Sequence, residues 1–149
     1  MKNRDVIRSL LSAMPGEVRQ YRELDALLRQ QYQLMGIHQT QALAALREQE
    51  MPLLAELRHH AFRRSHLLKV LGFSADGEGM LAFLQRLPPA LCAQAMPLWH
   101  QMQQLFVRCH TQNEINGRLL ASQRETLQRL LFGEPDRDYA ALQHLSPRD

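Results

Sequence analysis

Aromatic residues are scarce in this chain: five Phe, three Tyr and a single Trp make up 6% of 149 residues. So thin a supply argues against a compact β-rich globule, whose strands draw on aromatic and β-branched side chains. Cysteine is scarcer still. Cys92 and Cys109 fall on one predicted helix about 25 Å apart at 1.5 Å rise per residue, so they cannot bridge each other while that helix is intact. Reduced thiols fit a cytoplasmic setting. Long apolar runs are missing as well. The N-terminal stretch MKNRDVIRSLLSAMPGEV begins basic, but Arg8, Ser9 and Ser12 interrupt its apolar residues. That pattern is no secretory signal, and no window approaches a membrane span. The expectation is a cytoplasmic protein without membrane insertion.

Catalytic signatures are absent too. The chain holds no G-x-S-x-G, Walker loop, C-x-x-C or H-E-x-x-H. His59, His60 and His66 form one cluster, yet His59 and His66 lie two turns apart, too far for a single metal, so the plain reading is surface or helix-packing histidines. Cys109 and His110 are adjacent and point to different sides of a helix, which rules them out as nucleophile and base. Trp99 with Met96 and Met102 reads as core filler rather than a ligand box. No catalytic residue, metal site or cofactor is expected, and the chain reads as a non-enzyme.

Charge of one sign is also lacking. The net charge is +3, and the charges are interleaved. Residues 1 to 36 carry six basic and four acidic side chains, 37 to 72 five and three, and 73 to 149 seven and eight. No segment is a basic arm, so nucleic-acid binding is the minority reading, with Arg63 and Arg64, near Arg58 and Lys69, as its best patch.

What the chain does have is helix-forming composition, rich in Leu, Ala, Gln, Arg and Glu. From Pro88-Pro89 apolar positions return in steps of four and three: Leu91, Ala95, Leu98, Met102, Leu105 and Cys109. The same count then gives Gln112, Asn116, Leu119, Gln123, Thr126 and Leu130, so the seam turns polar halfway along. A helix of this length and period must lie against partner helices. Buried Asn at such a seam fixes register at a cost in stability. Beyond Gly117 a second apolar edge appears at Leu120, Leu127 and Leu131, beside Leu119 and Leu130.

Upstream, Val6, Leu10, Met14, Val18, Tyr21, Leu24, Leu28, Tyr32 and Met35 predict a first helix with Asn3 as cap, kinked or divided at Pro15 and stopped by Gly36. A second helix, capped by Thr40, runs from about Gln41 to Leu71 with Pro52 inside it. Leu43, Leu46, Leu53, Leu57, Ala61, Leu68 and Leu71 face inward. The few residues between these two helices make them antiparallel neighbours. After the turn-rich FSADGEG, Met80 to Leu84 predicts a short helix capping the bundle, and Pro97 is a further point of bend or break. The fold expected is all-α, with long antiparallel helices forming an elongated bundle or coiled-coil-like hairpin and a short capping helix. Residues 1 to 133 form one domain and 134 to 149 a polar tail.

Two motifs carry a resemblance. Asn113-Glu114-Ile115-Asn116-Gly117-Arg118-Leu119-Leu120 on the long C-terminal helix is one. Glu48-Gln49-Glu50 followed by Leu53-Leu54, Leu57, Arg63-Arg64 and Leu67-Leu68-Lys69-Val70-Leu71-Gly72-Phe73 is the other. Together they resemble the FlgN family of flagellar type III export chaperones. The resemblance implies a cytoplasmic protein that holds hook–filament junction proteins and delivers them to the flagellar export apparatus. Its client groove would be formed by Leu119, Leu120, Leu127, Leu130, Leu131 and Phe132, by helix-in-groove packing. The alternative for that face is packing on the first helix, since a wide apolar face also marks a bundle interior. Asn113 and Asn116 are expected to satisfy polar partners between helices, and Gly117 to permit close helix approach or a local bend. Tyr139 in the tail is the candidate contact for the export gate. Two other readings stand beside this one, an Arg-rich helical nucleic-acid binder and a structural coiled-coil adaptor. Self-association is compatible with each.

Overall fold

A computed structural model of the chain describes residues 3–36 and 40–132. They form α1 (Asn3–Gly36), α2 (Thr40–Val70), α3 (Gly77–Gln85) and α4 (Pro89–Phe132), with no strand among the described residues. The protein is all-α. Its three long helices run up, down and up, and α3 closes the lower end.

Register follows from the cross-helix bonds. Cys109 meets the Tyr21 carbonyl, Asn116 the Leu28 carbonyl and Gln123 the Met35 carbonyl, each pair 88 residues apart. A constant difference means α4 runs parallel to α1. On the other side Gln20 pairs with Glu56 and Ser9 with Arg63, numbers that fall as the others rise, so α2 is antiparallel to α1. The antiparallel pair expected from the short connection is α1 with α2. The longest helix instead packs in parallel on α1, because α1 buries a stripe wide enough for two partners, with Leu24, Leu27 and Leu28 all inside.

Two cores result. In the lower one all four helices meet: Val6, Leu10, Met14 and Val18 of α1, Leu67 and Leu68 of α2, Met80, Phe83 and Leu84 of α3, and Trp99 and Met102 of α4. The upper core is smaller, with Leu24, Leu27 and Leu28 against Leu46, Leu53 and Leu57, and with Cys109 as its contribution from α4. The lower end is closed by specific turn chemistry. Gly72 takes φ +87°, its N–H bonding the Lys69 carbonyl and that of Phe73 bonding the Leu68 carbonyl, a Schellman ending for α2. Asp76 then caps α3 by accepting from the Gly79 N–H at 2.9 Å and from the Ser74 hydroxyl at 2.7 Å. These bonds hold its carboxyl below the usual range. A Cβ at Gly79 would lie 1.8 Å from the Ser74 carbonyl oxygen, so only glycine fits there.

None of the three internal prolines divides its helix: α1 runs through Pro15, α2 through Pro52 and α4 through Pro97. Each proline is on an exposed side, where water can satisfy the carbonyl four residues earlier that loses its amide partner. Asn3 and Thr40 lie within the helices as described rather than ahead of them as caps. Three apolar positions of the expected seams are exposed: Tyr32, Leu91 and Leu130. Leu130 is 78% exposed because the 88-residue register carries it past Gly36, where α1 ends. Leu91 sits in the first turn of α4, where Leu87 already fills the core.

Candidate functional site

α1 lies between α2 and α4 and keeps them apart. Among the described residues no Cα of α2 comes within 8 Å of one of α4. Above the lower core this separation leaves a groove of about 310 Å³ whose floor is Tyr21, Leu24 and Leu28 of α1. One wall is Glu50, Leu54, Leu57, Arg58 and Ala61 of α2, and the other Phe106, Cys109, His110 and Asn113 of α4. The volume is at the low end of the ~300–1,000 Å³ typical of ligand clefts, room for a few large side chains.

The α4 wall is ordered by ring contacts. Phe106, 53% exposed, turns its edge to Tyr21 at a centroid distance of 6.4 Å and stacks on His110 at 5.9 Å. His110 reaches Glu114 at 2.6 Å, one turn on. Burial, and next the carboxylate of Glu17, raises the Tyr21 hydroxyl above its ordinary pKa. The Cys109 thiol, at the foot of this wall, is pushed up to about 11 by burial and by Asp25. A thiol so shifted stays protonated and is a poor nucleophile. Both cysteines are free.

Above the groove the seam between α1 and α4 is polar and satisfied. Asn116 is 2% exposed; its amide donates to the Leu28 carbonyl and to Gln31, both at 2.9 Å, and accepts from Gln112 at 3.0 Å. One heptad on, Gln123 donates to the Met35 carbonyl at 2.6 Å. Such bonds hold α4 at one register along α1. Below the groove one guanidinium nitrogen of Arg64 donates to both carboxylate oxygens of buried Glu17, at 2.7 and 2.8 Å, and the guanidinium lies 5.3 Å above the Trp99 ring. Arg64 is thereby withdrawn from the basic patch expected on α2, and Arg63 turns to Ser9. Asp25, also buried, is held by Arg29 and Arg108.

The residues singled out in the sequence distribute as follows. Asn116 ties α4 to α1, whereas Asn113, three residues back and so turned toward α2, is exposed and lines the groove. Gly117 does not serve a close approach: it is exposed, and a Cβ there meets nothing within 4 Å. It leaves space rather than relieving contact. Leu119 and Leu120 are half-buried. Leu127, Leu131 and Phe132 lie on α4, their side chains outside what the structure describes. Tyr139 lies outside the described residues. The sequence reading missed Glu17 and Asp25, and quoted Glu50 in a motif without its burial; all three are buried, and a periodicity count looks only for apolar positions. Their place in the 3.6-residue stripe was the available signal, Glu17 standing three residues after Met14, Asp25 four after Tyr21, and Glu50 four after Leu46 and three before Leu53. Among the described residues no group of three or more His, Cys, Asp or Glu is placed to hold a metal ion.

Fold and site together define a helical scaffold of three rods, with a groove walled by two of them and floored by the third. Over residues 1–132 the chain matches the family described as FlgN protein, and it belongs to that family of flagellar export chaperones. No significant match to it was found among curated proteins or among solved structures. No described helix is long and apolar enough to cross a membrane.

Proposed function

We propose that this chaperone works in the cytoplasm, where it holds hook–filament junction proteins by helix-in-groove packing and delivers them to the flagellar export apparatus. The observation that carries the reading is the open separation of α2 and α4 over the floor of α1. An amphipathic helix of a client, if left free, would polymerise early; laid in this groove, its apolar face is covered. The α4 wall has a natural continuation. Counting in sevens from Phe106 gives Asn113, Leu120 and Leu127, and from His110 gives Gly117, Arg124 and Leu131. The client-binding surface thus extends from the groove along Leu119, Leu120, Leu127, Leu130, Leu131 and Phe132, with Gly117 leaving room for the guest. Since α4 as described outruns α1, its last turns offer the guest a wall that no described residue of α1 faces. The tail carries Tyr139 as the contact for the export gate.

Co-expression with a junction protein tests this. The wild-type chain is expected to give a soluble complex, and the triple substitution Leu120→Asp, Leu127→Asp, Leu131→Asp to lose it while the helical content stays. Unchanged capture by the triple variant would remove the extension of the groove along α4 as a docking surface.

A further inference from the structure

Glu50 is the group in the groove that an apolar guest does not explain. It is 6% exposed, and its Oε2 has no hydrogen-bond partner among the described residues. It forms part of the α2 wall, beside Leu54 and Leu57 and above the Leu24–Leu28 floor. A buried, unpaired carboxylate is a large penalty in a helix that has exposed glutamates at 48 and 56 and no need of a third. Arg47, one turn back on the same helix, acts on it only through space. Arg58, the cation that lines this wall, stands eight residues away, about 12 Å along α2. The other buried carboxylates, Glu17 and Asp25, both have guanidinium partners within the chain. Glu50 has none from the described residues, and it is the one that faces the groove.

Building on the functional reading above, we infer that the groove takes a guest helix that brings a Lys or Arg side chain, set within its apolar face, to the Glu50 carboxylate. The apolar floor and walls receive the stem of that side chain and its neighbours, and the charged head supplies the ion pair that no described residue gives Glu50. Charge complementarity thereby adds register and choice of partner to a contact that apolar packing alone would leave free to slide.

The test is a double-mutant cycle on the full chain with designed peptides. Each is an 18-residue amphipathic helix with a Leu face and one central position in that face occupied by Lys, Arg or Met. Fluorescence anisotropy would measure each against wild type, Glu50→Gln and Glu50→Leu, with thermal melts showing that the variants fold. Wild type is expected to bind the Lys and Arg peptides about tenfold tighter than the Met peptide, the size of one buried charge-assisted contact. Glu50→Leu is expected to reverse that order and Glu50→Gln to flatten it. Equal Lys-to-Met ratios in all three proteins overturn the inference, whether because residues 133–149, a second copy or nothing occupies the groove. So does a wild type that binds none of the peptides. The co-expressed complex separates the two levels: no junction-protein complex with wild type defeats the functional reading, whereas a complex without Lys–Glu50 coupling defeats only this inference.

Discussion

Trp99 and Asn116 stand on one helix, and both face α1, yet they belong to different kinds of interior. Around Trp99 four helices converge, the side chains are apolar, and the one charged pair present, Arg64 with Glu17, is matched and lies against the ring. Around Asn116 two helices meet, and amides bond backbone carbonyls. A groove lies open just below. The lower half buries enough to anchor the fold; the upper half spends apolar area on an opening and keeps alignment through directional bonds. A chaperone gains from this division, since the half that receives a guest need not be the half that holds the chain folded.

The contrast can be broken most severely at Arg64. Arg64→Ala leaves Glu17 buried and unpaired, and urea denaturation is expected to show a loss of about 3–5 kcal/mol. A loss below about 1 kcal/mol would mean that the lower core does not depend on the pair. Next comes a matched truncation of one leucine in each half. Leu84→Ala, in the sealed core, is expected to cost in the upper part of the usual range of about 2–5 kcal/mol. Leu57→Ala, on the groove wall, should fall at its lower end because the opening relieves the cavity. Equal losses would deny the distinction between the halves. Asn116→Ala is expected to cost about 1–3 kcal/mol by orphaning Gln31 and Gln112, and Asn116→Leu less, since it refills the volume. Gly117→Ala, with open space at its Cβ, should add about 0.5–1 kcal/mol of stability.

The smallest effect expected is on pH dependence, and it reads the groove directly. Burial raises the Glu50 carboxyl above its ordinary 4.5, with Arg47 opposing. The folded chain therefore keeps a proton that the unfolded chain releases, so stability falls as pH rises from 4.5 through the raised folded value. Glu50→Gln removes that decline, and its advantage over wild type in urea midpoint should grow between pH 4 and pH 7. A constant difference would mean that the carboxylate is solvated.

Much of this was legible in the residues. Val6, Leu10, Met14 and Val18 announced the buried face of α1, and Met80 to Leu84 the capping helix, because apolar side chains at helical spacing have one economical arrangement. Asn116 was legible as a polar residue in the seam, but its partners were not, since Leu28 and Gln31 are local to another helix. The prolines left a kink or a division open along the chain, and continuous helices remove the division, since loss of one amide partner is tolerated where the orphaned carbonyl can meet water. Arg64 looked like surface charge, as Glu17 lies 47 residues away.

The sequence by itself determined the helices and the change from apolar to polar along the last of them, because these depend on neighbours within a turn or two. Only the tertiary structure decided that α1 would be the middle rod, that α4 would pair with it in parallel, and that Glu50 would be buried in the wall of a groove. Those outcomes depend on which of several apolar stripes meet, a choice made by total burial and register across the whole assembly rather than by any single segment.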